Sequence, residues 1–269
     1  MTHATPKHPT AQRANVSTAA ARAEQSSSRY SVQEQLPSAS RSSHEREDER
    51  SSTASSTSSN SSRIGGAPVA PLLPNSGDVR VLIVGEAPGP RGADKSGVPF
   101  FGDAAGKHLY LALRQLGAIG LPYAVDEMKW DGALLRAAGI SPIANQISLT
   151  NAFDRCPTDD GRKFRAPTRD ELEGEPNTTR LRDEVDALRS RGLTGIVTLG
   201  KVATRTMQRV VAEFYADAIA VHALPHPSAQ GLLSMAPNRG RGARMVDLQT
   251  TWMEQCMGAI RAAGFDASV

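Results

Sequence analysis

Apolar residues are spread unevenly along this chain. Up to residue 62 there is almost no Leu, Ile or Phe, and the stretch includes "HEREDER" (His44 to Arg50) and "SSTASSTSSNSS" (Ser51 to Ser62). Beyond it the pattern alternates. Short apolar runs that predict strands fall at Arg80 to Val84, Gln146 to Thr150, Gly195 to Leu199 and Ile219 to Leu224. Helix patterns lie between them. Asp103 is placed to cap a helix ending at Gly117, and Thr178 or Thr179 to cap one ending at Gly192. A third helix is predicted from Lys201 to Tyr215 and a fourth from Met245 to Ala263. The first strand is apolar without interruption, as expected where both sheet faces are covered. Strands alternating with helices predict an α/β fold, a three-layer α/β/α sandwich around a mainly parallel four-stranded sheet. Ligands in such folds sit beyond the carboxyl ends of the strands. The segments to read for chemistry are therefore "GEAPG", "NAFDRC", "GKVAT" and "PHPS".

Composition divides the chain into a Ser-rich tail, residues 1–75, and a folded domain, residues 76–269. The tail lacks the apolar surface needed to offset chain entropy, so it is expected to be disordered. No apolar run reaches the ~18 residues of a membrane span. Net charge is +3, and residues 1–62 carry seven basic and six acidic residues, leaving +2 for the rest. That balance excludes a globally basic nucleic-acid binder, so contact with DNA must come from local patches such as "RKFRAPTR" (Arg162 to Arg169) and "NRGRGAR" (Asn238 to Arg244). Two cysteines do not make a disulfide framework. A cytoplasmic location is expected. An organelle transit peptide is the alternative reading of the basic, Ser/Ala-rich start.

"VRVLIVGEAPGPRGADKSGVPFFGDAAGKHLYLAL" (Val79 to Leu113) has the outline of a nucleotide-binding opening, a strand followed by a Gly/Pro-rich loop and a helix. It lacks the G-x-G-x-x-G of a dinucleotide fold. "GDAAGKH" is one residue short of a P-loop and has His where Ser or Thr would bind Mg²⁺. Glu86, directly after the strand, would repel a phosphate.

The same stretch resembles the first motif of the uracil-DNA glycosylase superfamily, in a spelling closest to its family 4. "LTNAFDRCP" (Leu149 to Pro157) resembles the second strand of that family, and "RKFRAPTRDE" its Arg-x-Pro segment. "IVTLGKVA" resembles the following strand and helix start, and "LPHPS" (Leu224 to Ser228) its His motif. The four follow in the family's order, from Val79 to the C-terminus. The resemblance implies a glycosylase-like fold and a monomeric, metal-independent DNA repair enzyme. Such an enzyme flips uracil or another deaminated base from DNA and hydrolyses its N-glycosidic bond. Two other readings remain. One is a glycosylase for hypoxanthine or xanthine, the other a DNA- or base-binding relative without turnover. The chain departs from family 4 in its cysteines. Of four expected thiolate ligands of an iron–sulfur cluster only Cys156 is in place, and the position near Leu172 has none. No cluster or other cofactor is therefore expected. Ala118 to Asn145 carries no readable motif.

The resemblance assigns roles. Asn151 is implied to read the base edge, its amide accepting from uracil N3–H and donating to O4; a strand-end Asn can equally form a turn. Phe100 is implied to stack on the base, with Phe101 as its rival. His226 is implied to stabilise the departing base anion at O2 through a neutral imidazole N–H. Glu86 is implied to orient water and favour the cationic sugar. Gly85, Ala87 and Gly89 are implied to line the base, and Gly89 stands where uracil-specific relatives carry a bulky wall. The loop after His226 is implied to meet DNA. Ser228 belongs to it, Leu232, Leu233 or Met235 would be a wedge, and Arg239, Arg241 and Arg244 would contact phosphates.

Overall fold

The computed structural model of the protein describes residues 63–216 and 218–267. Of the tail, residues 1–62 lie outside the described residues. Strand β1 (Val81–Gly85) leads through helices α1 (Ala93–Ser96) and α2 (Ala104–Gln115) to a small antiparallel pair, β2 (Ile119–Gly120) and β3 (Ile143–Ala144). A 3₁₀ turn (Tyr123–Asp126) and α3 (Gly132–Ala137) lie inside that pair. Next come β4 (Ile147–Asn151), α4 (Arg169–Glu173), α5 (Glu175–Arg189), β5 (Gly195–Leu199), α6 (Lys201–Tyr215) and β6 (Ala220–Leu224). Helices α7 (Ala229–Leu233) and α8 (Met245–Ala262) close the chain, separated by a 3₁₀ turn at Pro237–Gly240.

The main sheet has the order β4-β1-β5-β6, with every pairing parallel. Side chains of a strand alternate between faces, and β1 shows the result. Val81 and Ile83 join a core with Leu109 and Leu113 of α2 and Trp252, Cys256 and Ile260 of α8. Leu82 and Val84 join the opposite core with Leu181 and Val185 of α5 and Met207 and Val210 of α6. The sandwich expected from strand–helix alternation is therefore present, with every sheet strand within a residue of its predicted start and end.

Two boundaries need correction. Helix α5 starts at Glu175, not after Thr178 or Thr179. Gly174 precedes it and Pro176 fills the first turn, where a missing N–H costs nothing. The Thr178 hydroxyl bonds back to the Gly174 carbonyl at 3.2 Å. The second correction concerns the domain edge, expected at residue 76. Residues 63–75 belong to the fold. Ile64 and Val69 are buried, and Leu72 exchanges both backbone hydrogen bonds with Leu149, at 2.9 and 3.0 Å. This segment covers the outer edge of β4, which would otherwise expose unpaired backbone groups. Its sequence has no strand periodicity, because one bridge and two buried side chains suffice. Ile64→Ala is expected to lower unfolding free energy by about 2 kcal/mol. Val246→Ala, at an exposed position on α8, should stay within about 0.5 kcal/mol. Urea unfolding measures both, and equal effects would place Ile64 outside the core.

No helix among the described residues is long and apolar enough to cross a membrane.

Candidate active site

A cleft of about 1120 Å³ opens at the carboxyl ends of β1, β5 and β6. Glu86, Ala87 and Gly89 after β1, Phe100, Asp103 at the start of α2, and His226 and Ser228 after β6 all line it. Phe164, Lys201 and Arg205 stand in the same lining. Parallel strands put these ends together because every crossover returns to the same side of the sheet. The ends of β1 and β4 are also joined directly. Ala152 N–H donates to the Gly85 carbonyl (2.8 Å) and Phe153 N–H to that of Glu86 (3.0 Å).

Asn151 closes β4 beneath this cleft and is 2% exposed. Neither its Nδ2 nor its Oδ1 has a hydrogen-bond partner among the described residues. A buried amide in that state costs about 1–3 kcal/mol. Its backbone is held firmly. The Arg180 guanidinium donates to the Asn151 and Ala152 carbonyls at 3.0 and 3.1 Å. Arg180 is in turn fixed by Glu184 (2.5 Å) and Asn177 (2.9 Å). Gly85 explains how the amide and an aromatic ring can share one spot. A Cβ there would collide with the Phe100 ring and lie 2.7 Å from Asn151 Oδ1. Gly85 and Asn151 thus form the layer under Phe100 and are not in the cleft lining.

Of the two adjacent phenylalanines, Phe101 is core. It is fully buried and packs edge-on against Tyr110 and Trp130 at 5.1 and 5.4 Å. Phe100 faces the cleft from a left-handed backbone, φ 61°, uncommon for an aromatic residue. Its neighbours hold it there. Tyr110 Oη donates to the Pro99 carbonyl at 2.8 Å, and Ser96 Oγ to that of Phe101 at 2.7 Å.

His226 has a defined tautomer. The Ser228 backbone N–H donates to Nδ1 at 3.2 Å. A backbone N–H can only donate, so Nδ1 is the acceptor and Nε2 carries the proton. Burial pushes the imidazole below its ordinary value, opposed by the negative charge of Asp103. The ring is therefore neutral, and its Nε2–H has no hydrogen-bond partner among the described residues. Fully buried Trp252 anchors this loop by donating to the Pro225 carbonyl at 2.8 Å.

Burial raises the Glu86 carboxyl above its ordinary value, and the Arg205 charge opposes the rise. Asp103 is the cleft residue whose chemistry sequence reasoning missed. It caps α2 as expected, Oδ1 accepting from Gly106 N–H at 2.7 Å. Its cap role hid its other oxygen, which faces Gly89. A Cβ on Gly89 would stand 2.9 Å from Asp103 Oδ2. Gly89 is therefore more than a missing wall. Its bare Cα leaves room for a second carboxylate.

The loop after β6 corrects several expectations. Ser228 caps α7, its Oγ accepting from Gly231 N–H at 3.4 Å, while its N–H orients His226. Leu232 is fully buried in the core, so it is not a wedge. Met235 packs partly buried against the same core, and Leu233 lies partly buried beside Gly240. Apolar residues in a five-residue helix pack inward, and the sequence could not tell them from an apolar tip. Arg244 pairs with Asp247 at 2.8 Å. Arg241 is exposed. The side chain of Arg239 lies outside the described residues. Neither Arg241 nor Arg244 lines the cleft.

A four-thiolate cluster does not fit this chain. Cys156 lies in the loop after β4 and Cys256 inside α8, and both are buried. Two cysteines cannot supply four thiolates. Among the described residues no cluster of His, Cys, Asp or Glu could hold a metal ion.

Comparison with known proteins places this geometry. The family model of the uracil DNA glycosylase superfamily matches residues 73–239. A type-5 uracil-DNA glycosylase of Pyrobaculum aerophilum is 31% identical over 148 residues, 54% of each chain. One of Mycobacterium leprae is 41% identical over 71 residues, 26% of each chain. The match thus spans about half the length of the first relative and less of the second. Both carry the type-5 name, whereas the motif spelling resembles family 4. A solved structure of SMUG2 from Pedobacter heparinus is a looser likeness, with 15% identity over 70% of this chain and 77% of that one and a TM-score of 0.43. The family model takes in more than half of the chain, from the segment bridging β4 to the turn after α7. The chain belongs to the uracil DNA glycosylase superfamily.

Proposed function

We propose that the protein is a DNA glycosylase that extrudes uracil from DNA and hydrolyses its N-glycosidic bond. The observation that carries this reading is the neutral His226 at the cleft, its Nδ1 occupied and its Nε2–H without a partner among the described residues. The extruded base would enter beside Phe100 and displace that ring from Gly85, exposing the unpartnered Asn151 amide. Asn151 would accept from N3–H and donate to O4, and Phe100 would stack on the ring face. The bond between C1′ and N1 then breaks with its electron pair going to the base. The anion collects charge at O2, where His226 Nε2–H donates to it. The sugar is left as an oxocarbenium ion, and the carboxylates of Glu86 and Asp103 favour that positive charge. Water held by Glu86 adds to C1′, and its proton passes through Glu86 to solvent. The departed anion takes up a proton from solvent, and an abasic site and the free base are the products.

Type-5 uracil-DNA glycosylase is the name of the curated relatives, and it supports uracil as the first substrate to test. The size of the cleft favours a second reading, in which a deaminated purine such as hypoxanthine or xanthine also fits. Oligonucleotides bearing each base, followed by alkaline cleavage of abasic sites, test both. Strand breaks at uracil are expected, and their absence with all three bases would refute the reading.

The raised Glu86 carboxyl makes a claim about pH. The ionised form is the active one, so rate should fall as pH drops through a value above the ordinary 4.5. Glu86→Gln should slow the step by about 10²-fold and flatten that acid limb. Single-turnover rates between pH 4 and 8 measure it, and an unchanged limb in Glu86→Gln would assign the titration to another group.

A further inference from the structure

The loop between β4 and α4 presents one aromatic ring that the fold does not need. Thr158 and Phe164 form an antiparallel bridge, so residues 158–164 are a tight hairpin. Its tip is held by polar contacts. The Asp160 carboxylate accepts from the backbone N–H groups of Arg162 and Lys163, both at 2.8 Å. Gly161 N–H donates to Thr158 Oγ1 at 2.9 Å. The base of the hairpin is clamped by Arg165, which donates to both Glu171 oxygens at 2.7 and 2.8 Å and to Asp159 at 2.7 Å. Phe164 belongs to neither core cluster, is 47% exposed and lines the cleft. A rigid loop that holds a large apolar ring in water at the mouth of a site keeps it ready for a ligand, because the ordering cost is met before binding.

The charges around it select the ligand. Arg162 and Lys163 directly precede Phe164 and are exposed, and Lys201 and Arg205 share the cleft lining. None of these cations makes an ion pair among the described residues, whereas Arg165 of the same loop and Arg169 at the start of α4 are paired to Glu171 and Glu173. An aromatic face in company with unpaired cations matches a nucleic acid strand, which offers bases to stack on and phosphates to neutralise.

We propose that Phe164 stacks on a DNA base next to the extruded nucleotide, with Arg162 and Lys163 on the adjoining phosphates. This rests on the glycosylase reading for the position of the extruded nucleotide, but not for the stacking itself. The hairpin, and not the α7 loop, is then the element that grips the flanking strand. Every base has a stacking face, so the contact carries affinity without sequence preference.

The test is equilibrium binding to a fluorescent single-stranded 15-mer carrying 2′-fluoro-deoxyuridine, which resists cleavage. Phe164→Ala is expected to weaken binding about 5- to 100-fold. Phe164→Trp should restore it, and the added indole emission should be quenched when the oligonucleotide binds. Tight binding by Phe164→Ala, or unquenched emission from the introduced indole in a bound complex, would overturn the proposal. Uracil release by the unaltered protein is measured separately. Loss of binding in Phe164→Ala alongside a wild type that binds DNA but releases no uracil would support the stacking role and refute the glycosylase reading.

Discussion

Replacing His226 with alanine is expected to lower single-turnover base release by about 10²- to 10³-fold, the scale set by loss of one oxyanion donor. Binding of a non-cleavable uracil analogue should change little. The reason is where the charge exists. In the bound substrate O2 is a neutral carbonyl, and the full anion appears only as the glycosidic bond breaks. A donor matched to that anion lowers the barrier without tightening the ground state. The neutral tautomer matters for the same reason. An imidazole held below its ordinary pKa by burial keeps its Nε2–H as a hydrogen-bond donor and not as an acid. The alternative is that His226 only holds its loop, since its Nδ1 accepts from Ser228 N–H. In that case His226→Ala would orphan that N–H, loosen α7, and reduce binding and rate together. Equal losses in the two measurements would therefore reject the catalytic role.

Strand β1 was legible because burial on two faces demands an uninterrupted apolar run; β4, β5 and the partly exposed β6 are less pure and were placed by their short apolar stretches alternating with helix patterns. Helix α2 was legible through Asp103 and Gly117. Helix α5 was not, because Thr178 and Thr179 looked like caps while Gly174 and Pro176 set the true start. The stretch from Ala118 to Asn145 was unreadable because its elements are too short for periodicity. Strands β2 and β3 have two residues each, and what orders the stretch includes Trp130 packing on Phe101 and Tyr110. Site residues show the same division. Glu86, Phe100 and His226 could be placed from the ends of strands and the motif order, and they do share a cleft. The dual use of Asp103, the burial of Leu232 and the exposure of Phe164 depend on packing between segments far apart in sequence. No local pattern carries that information.

Asn151 gives the sharpest test because two opposite effects are expected from one substitution. Its amide is buried and unpartnered among the described residues. Removing such a group and filling its space with carbon should stabilise the free protein. Asn151→Leu, with the same number and branching of side-chain heavy atoms, is expected to raise unfolding free energy by about 1–3 kcal/mol. The same change should abolish base reading, because an alkyl group neither accepts from N3–H nor donates to O4. A site built to hydrogen-bond its substrate rejects partners through unmet polar groups, and an isobutyl side chain at this position would leave the base edge unmet in turn. Release of uracil should fall by at least about 10²-fold, with discrimination between uracil and cytosine lost in whatever activity remains. Asn151→Ala separates the causes. It also removes the amide, but it leaves a cavity, so its stability gain should be smaller or reversed. Chemical denaturation and single-turnover kinetics on the two variants give the answer. A less stable Asn151→Leu protein would mean that the amide has a structural partner and that its silence in the folded chain is not reserved for a base. A more stable variant that still excises uracil selectively would remove Asn151 from the site altogether.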